Sequence, residues 1–448
     1  MQKKSQSSAP VGYLPDETPS LGKLLAFAFQ QVLVMFPATV TVALLTGFHV
    51  STTIFASGLA TLCFLFVTRG KIPLYYGSSF SYIAAIVSIT GATYGQTVAD
   101  NLIGQAQFGI ICSGLVSILA GFIVSRFGME KIEKVLPPTI TGSIALVIGI
   151  SLAATAFTQS IGYDTASGTS NPLEGRMWIV AMITLIATVL FSVYLKGVMG
   201  QLPILFGIVV GYIVSIPLGL VDFSGVLSGG ILATPHFTLP KASAAAVFAI
   251  MPIAIATIPE STAHLFQLDI YVNDLAKRKG KGEYKIADKL GLNLVGDGIG
   301  DIVASLFGGP AGTNYGENIS TMAITKNFSI KMLGTAAVMS IILSFVNPLS
   351  KFINTVPGAV INGSCIFLFG VIAAQGIAIM ISKKVDMFDA RNLAIIATII
   401  VIGLGGHYGF PNGMIPFFGS QLPAIATASI VGILMNAVLS IGRKPEEA

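Results

Sequence analysis

The sequence predicts an all-α membrane protein of fourteen transmembrane segments, folded as a 7+7 inverted repeat. Three observations carry that prediction. The 448 residues are 53% hydrophobic and only 10% charged, with a mean hydropathy of +0.82, a balance that soluble domains do not reach. The basic residues fall on alternate sides of the apolar runs. Two of those runs are interrupted in the same way, seven segments apart.

Apolar runs long enough to span a bilayer lie at 22–46, 50–68, 74–90, 104–126, 137–157, 176–195, 199–220, 243–268, 286–307, 314–325, 328–347, 353–380, 391–406 and 422–441. The runs at 74–90 and 314–325 are short, glycine-bearing and broken. An even count puts both termini on one side, and Lys3, Lys4, Lys23, Arg443 and Lys444 make that side cytoplasmic under the positive-inside rule. With fourteen segments, every lysine and arginine falls inside except Arg176, Lys241 and Lys351. One segment more or fewer would invert all later loops and destroy this bias. The net charge of +5 is therefore a topology signal, and it leaves nothing to argue for nucleic acid as a partner. The first 20 residues are polar and lack the apolar core of a cleavable signal, so the first spanning helix is expected to direct insertion. Cys63, Cys112 and Cys365 sit in apolar runs and have neither disulfide nor metal-ligand spacing; no metal is expected.

The halves repeat. Tyr76-Gly77 near the start of the third run matches Tyr315-Gly316 near the start of the tenth. Lys131 stands six residues before Pro137 as Lys351 does before Pro357, and each proline is followed by a Gly-Ser pair, Gly142-Ser143 or Gly363-Ser364. Because seven is odd, the second repeat inserts upside down, and the two broken segments meet near the midplane. The longest polar loop, Asn273 to Lys285, is expected to be a cytoplasmic linker.

The stretches Leu74 to Ala84 and Gly308 to Lys326 bring non-helical backbone to membrane depth. Such backbone survives only where protein or a water-filled cavity covers it. Few acids lie within the runs: Glu260, Asp297, Asp301 and Glu317, with Asp269 at a run's end. Charges there are costly and mark a pathway or a site. Glu260 and His264 are four apart, on one face of a helix, where carboxylate and imidazole could share a proton; the alternative is a structural pair. Glu317 follows a glycine that lets a ligand approach the backbone, at the positive end of a half-helix; the alternative is a helix cap. Asp297 and Asp301 read equally as a second proton station or as hydrogen-bonded structural acids. His49, His236 and His407 fall in outer loops as ordinary surface histidines, and Trp178 reads as an interfacial anchor.

Two carboxylates and two sets of free backbone N–H groups suit a planar ligand whose edge alternates N–H and C=O. Two ionised glutamates would repel an anion. A neutral imide or lactam fits better than sulfate, phosphate or a carboxylic acid.

With these residues in view, the chain resembles the nucleobase–ascorbate transporter family (nucleobase:cation symporter-2), and within it most closely the bacterial uracil permeases, from about Leu21 to Ile441. The resemblance rests on Gly70-Lys71-Ile72-Pro73 leading to Tyr76-Gly77-Ser78-Ser79-Phe80, on Glu260 with His264, and on Thr313-Asn314-Tyr315-Gly316-Glu317-Asn318-Ile319 running to Met322-Ala323-Ile324-Thr325-Lys326. It implies short strands in broken segments 3 and 10 and a core domain of 21–136 and 243–350. It further implies a gate domain of 137–242 and 351–442, cytoplasmic tails at 1–20 and 443–448, and a homodimer in the bacterial cytoplasmic membrane. The implied activity is proton-coupled uptake of a nucleobase, most closely uracil, by an elevator-type movement of core against gate, with the proton as coupling ion and no cofactor. Carried over residue by residue, Glu260 and Glu317 are the substrate carboxylates and His264 is the proton-relay partner. Phe80 and Gly316 are backbone donors, Tyr315 is a wall of the site, and Ser79 is a further substrate neighbour; Gln31, Asn318 and Asp301 are accessory. Two positions depart from the family pattern: Ser320 stands where a glycine is usual after Glu-Asn, and Gln31 where many members have histidine. The Glu-Asn opening resembles pyrimidine carriers, whereas xanthine and uric acid carriers tend to open with Gln-Asn.

A sulfate-permease-like anion carrier shares the 7+7 frame but is opposed by acids at the site. A membrane-embedded enzyme would need a motif such as His-Glu-x-x-His or a Ser/His/Asp set at the right depth, which the sequence does not present.

Overall fold

A computed structural model describes residues 12–128, 134–163, 168–169, 171–417 and 420–441. Lys3, Lys4, Lys131, Arg443 and Lys444, which enter the charge and repeat arguments, lie outside the described residues, as do most of the two tails. The frame is helical: α1 (Leu21–Thr46), α2 (Val50–Val67), α3 (Ile83–Thr90), α4 (Asp100–Phe127), α5 (Pro138–Ser160), α6 (Glu174–Tyr194), α7 (Pro203–Ser215), α8 (Ala244–Ile250), α9 (Ala254–Arg278), α10 (Leu290–Leu306), α11 (Gly316–Thr325), α12 (Ile330–Ser344), α13 (Asn347–Asn354), α14 (Gly358–Ser382), α15 (Ala390–Ile400), α16 (Gly406–Gly409) and α17 (Ala424–Leu439). Among the described residues, eight helical stretches are long and apolar enough to cross a membrane, counting α8 with α9 and α15 with α16 as continuous. Shorter apolar helices at Phe80–Thr90, Pro203–Ser215, Ile330–Ser344 and Ala424–Leu439 join them.

The helices pack in two groups. In one, α4 lies along α10, α2 packs on α10 and α12, and α1 packs on α12; in the other, α14 lies along α5 and α6, with α15 and α17 against α5. Glycine permits the closest contact in each. A Cβ on Gly114 of α4 would come within 2.6 Å of the Gly298 carbonyl on α10, and one on Gly149 of α5 within 2.4 Å of the Ala373 amide nitrogen on α14, so backbones rather than side chains meet there.

Two strands connect the repeats. β1 (Tyr76–Ser78) pairs antiparallel with β2 (Gly312–Asn314), with Tyr76 opposite Asn314, Gly77 opposite Thr313 and Ser78 opposite Gly312. The ladder continues one residue beyond at both ends, through Tyr315 N–H to the Tyr75 carbonyl (3.0 Å) and Ser79 N–H to the Ala311 carbonyl (2.9 Å). The Ser57 and Thr61 hydroxyls of α2 both donate to the Tyr76 carbonyl at 2.9 Å. The backbone here is thus satisfied by protein, as burial requires.

Three details depart from the sequence reading. The stretch Asn273 to Lys285 is helical as far as Arg278, where an Asp274–Arg278 ion pair (2.9 Å) at i,i+4 supports the last turn of α9. The run 353–380 is two helices, because Pro357 supplies the non-helical residue before α14. A second strand pair, β3 (Met414–Phe417) with β4 (Ser420–Pro423), precedes α17; its Gly- and Pro-rich surroundings gave no alternating pattern to read.

Residues 12–17 cross one end of the first group. Tyr13 pairs with the chain after α11 through Tyr13 N–H to the Lys326 carbonyl and Phe328 N–H to the Tyr13 carbonyl, both 2.8 Å. Glu17 accepts from the Leu14 N–H (2.9 Å), from Lys281 (3.1 Å) and from Lys279. Its own carbonyl takes the Ser329 hydroxyl at 2.7 Å. This latch ties the chain before α1 to the ends of α9 and α11.

Candidate functional site

Each strand turns into a half-helix. After β1 a short 3₁₀ turn, Phe80–Tyr82, leads into α3; after β2, Tyr315 leads directly into α11. The first amides of a helix have no partner within it, so Phe80 and Ser81 on one side and Gly316, Glu317 and Asn318 on the other present N–H groups at the positive ends of the two half-helices. Helix α9 closes the arrangement, packing against β2 and α11. Pro259 lies inside α9, one residue before Glu260. A proline there removes one helical hydrogen bond and loosens the turn that carries the acid.

The structure brings Glu260, His264, Glu317, Gly316, Tyr315, Ser79 and Phe80 around this crossing. Glu260 Oε2 accepts from the Ser81 hydroxyl at 3.4 Å, and Glu260 and Glu317 lie within Coulombic reach of each other. Ser81 was not singled out in the sequence; only the fold turns its hydroxyl to the acid. Both glutamates are half-buried. Among the described residues no hydrogen bond joins Glu260 to His264, although they stand one turn apart on α9. His264 instead fills the space that Gly316 leaves open, and its shielded Nδ1 has no hydrogen-bond partner among the described residues. Tyr315 is buried; its hydroxyl donates to the Ser78 carbonyl (3.0 Å) and lies 3.0 Å from Thr39 Oγ1. Its ring occupies the space beside Gly77, which has no side chain to displace it. The Ser79 hydroxyl is buried without a hydrogen-bond partner among the described residues. Phe80 meets Phe369 of α14 edge-on, with ring centres 6.2 Å apart, so one ring of the site touches the other helix group.

The accessory residues sit one layer out. Asn318 donates to the Gln31 side chain at 2.7 Å and to its carbonyl at 3.0 Å, which fixes α11 to α1. Asp301 accepts from the Tyr76 hydroxyl and from the Gly312 N–H, each at 2.7 Å, and so clips both strands to α10. Asp297 accepts from Asn314 (2.8 Å) and from Ser261, while Asn293 and Asn314 donate to the Ser261 hydroxyl at 2.7 and 3.0 Å. Both aspartates are thus hydrogen-bonded supports of the strand pair. The Ser261, Asn293 and Asn314 roles carried no signal in the sequence, because their partners are far apart along the chain.

The outer histidines are not isolated. His236 Nε2 lies 3.0 Å from both carboxylate oxygens of Asp100, and the rings of His49 and His236 are 4.3 Å apart. Trp178 packs edge-on against Phe157 at 5.2 Å.

Comparison with known proteins agrees with this architecture. Residues 22–412 match the profile of the Permease family of xanthine and uracil type. The chain is 33% identical over 430 residues to the uracil permease of Bacillus subtilis (strain 168), covering 94% of each chain. It is 35% identical over 431 residues to that of Bacillus caldolyticus, covering 94% of this chain and 93% of the other. The transmembrane domain of the cyanobacterial bicarbonate transporter BicA superposes with a TM-score of 0.60 at 17% identity, over 96% of this chain and 99% of that one; at that identity the likeness is one of fold. With the profile match and an identity of 33–35% over nearly the full length, the chain belongs to the nucleobase–ascorbate transporter family of permeases.

Proposed function

We propose that the protein takes up uracil, or a close pyrimidine, together with a proton across the bacterial cytoplasmic membrane. The observation that carries this reading is the convergence of two half-helix N-termini on a strand crossing flanked by Glu260 and Glu317. The N–H groups of the half-helices would hold the ligand's carbonyls, and the carboxylates would accept from its ring N–H groups. Tyr315 forms one wall. The name uracil permease, borne by relatives that match nearly the full length, agrees with that chemistry.

In this reading Glu260 carries the coupling proton, with His264 one turn away to stabilise its charged form. Neutralising Glu260 spares the moving segment the cost of a bare charge in the bilayer. The two helix groups would be the core (21–136 and 243–350) and the gate (137–242 and 351–442), sliding against each other in a fourteen-segment chain with short strands in segments 3 and 10. Both tails would face the cytoplasm, and the chain would assemble as a homodimer. The division of packing and the inter-group Phe80–Phe369 contact support the core and gate assignment.

The test is uptake of labelled uracil into proteoliposomes, competed by a panel of nucleobases and repeated with sulfate or bicarbonate replacing chloride. Uracil should compete most strongly, with anion replacement having no effect. Stronger competition by xanthine or uric acid would move the assignment to purines, and anion-dependent uptake would overturn it in favour of an anion carrier.

A further inference from the structure

The cluster of His49, Asp100 and His236 stands apart from the substrate site, and the permease reading does not use it. His49 immediately precedes α2, Asp100 opens α4, and His236 lies in the extended segment before α8. One ligand atom from each lies within 4.8 Å of the others. A surface ion pair would need only His236 and Asp100. The third residue is what requires explanation, because His49 Nε2 is shielded from water and has no hydrogen-bond partner among the described residues. A desolvated ring nitrogen without a partner is a cost that a metal ion would remove.

The scaffold behind the three ligands is held without any ion. The Thr52 hydroxyl of α2 donates to the His236 carbonyl at 2.6 Å. Gln107 of α4 donates to the Thr238 carbonyl (3.0 Å) and accepts from the Thr238 hydroxyl (2.9 Å). Val98 N–H donates to the Gly47 carbonyl at 3.1 Å. Each ligand-bearing segment is thereby bonded to another, as a preformed site requires.

We propose that His49, Asp100 and His236 form a binding site for a divalent transition metal of the Zn²⁺ class, on the face that the charge distribution puts outside the cell. Two imidazoles and one carboxylate suit Zn²⁺, and disfavour Mg²⁺ and Ca²⁺, which take oxygen ligands. Closure by under about 1 Å per ligand reaches the bond lengths of about 2.0–2.2 Å that Zn²⁺ makes to nitrogen and oxygen. Asp100 and His236 are exposed, so water completes a tetrahedral set. The ion would join the starts of α2 and α4 to the segment before α8, bracing one helix group from its outer edge.

The test titrates Zn²⁺ into full-length, metal-stripped protein in detergent, followed by calorimetry and thermal unfolding, with Co²⁺ as a spectroscopic substitute and Mg²⁺ as control. One Zn²⁺ per chain should bind and raise the unfolding midpoint, and Co²⁺ should give the visible absorption of a tetrahedral nitrogen–oxygen site. His49→Ala and His236→Ala should each weaken Zn²⁺ binding at least about tenfold while leaving uracil binding, which reports folding, unchanged. The milder His49→Gln serves if the alanine variant fails to fold. Absence of saturable Zn²⁺ binding to the wild type, undiminished binding in folded His49 and His236 variants, or Mg²⁺ binding as tight as Zn²⁺ would each overturn the proposal.

Discussion

His264 Nε2 stands 2.8 Å from the point a Cβ on Gly316 would occupy, so the imidazole and the first turn of α11 share one van der Waals surface. Gly316→Ala must push them apart. The displaced amides of Gly316 and Glu317 then miss a ligand carbonyl, and uracil affinity should fall by about tenfold or more, equivalent to about 1.4 kcal/mol. Equilibrium binding to purified protein, beside a thermal midpoint near wild type, checks this. Unaltered affinity would show that the position of this turn does not matter to the ligand.

Glu317→Gln keeps the shape but exchanges one acceptor oxygen for a donor. A ligand N–H would then face an N–H, a loss of about 1–3 kcal/mol in a desolvated site, so binding should weaken at least about tenfold. A folded variant that binds normally would make Glu317 a cap of α11 and nothing more.

Glu260→Gln imitates the protonated acid permanently. Because Glu260 in this reading is protonated while substrate is bound, the amide keeps the one carbonyl acceptor that the neutral acid offers a ring N–H, so binding should survive, while accumulation driven by an inward proton gradient in proteoliposomes should vanish. Gradient-driven accumulation by the variant would place the coupling proton on another acid, Asp301 or Glu317 first.

These three variants also mark what could be read in advance. That Glu260 and His264 stand one turn apart on one helix was legible from their four-residue spacing, though no hydrogen bond between them is seen among the described residues; the interrupted stretches were legible because glycine and polar residues break apolar runs, and the strands in them only through the family resemblance. The web of Ser261, Asn293, Asn314 and Asp297 was not legible: no periodicity encodes a hydrogen bond between residues drawn from α9, α10 and β2. Nor could spacing disclose that His49 and His236 meet at Asp100, since three segments far apart in the chain, the residue before α2, the first residue of α4 and the stretch before α8, supply them. The latch carries no sequence signal for a further reason: a short polar run before a first helix has the composition of a tail, and its partners Lys279, Lys281, Lys326 and Ser329 lie 262 or more residues away.

The charge bias predicts an orientation that labelling can check. A cysteine at Lys384 should react with a membrane-impermeant reagent only from the cytoplasm, and one at Thr169 only from outside. Labelling of both from one side would rule out the fourteen-segment arrangement.

The latch has its own pH dependence. Burial alone would raise the Glu17 carboxyl, but hydrogen bonds from Lys279, the Leu14 amide and Lys281 outweigh it and hold the group at about 2, below its ordinary 4.5. Because the folded value is depressed, the stability it contributes is complete above about pH 4.5 and is lost as pH falls towards 2. Glu17→Gln should therefore lower the unfolding midpoint by a few degrees at pH 7, with the gap to wild type narrowing through that window. A gap that stayed constant down to pH 3 would detach the effect from this carboxyl.

The pairing of Tyr76–Ser78 with Gly312–Asn314 also dictates an order of manufacture. The first strand is translated more than half a chain before its partner, and until then α1 and α2 pack against it, with Ser57 and Thr61 of α2 bonding the Tyr76 carbonyl. The opening half of the protein is therefore made with that sheet edge unpaired. Cutting the chain anywhere before Gly312 removes the second strand and the half-helix Gly316–Thr325 together, so the candidate site is complete only once the chain has been made past Thr325.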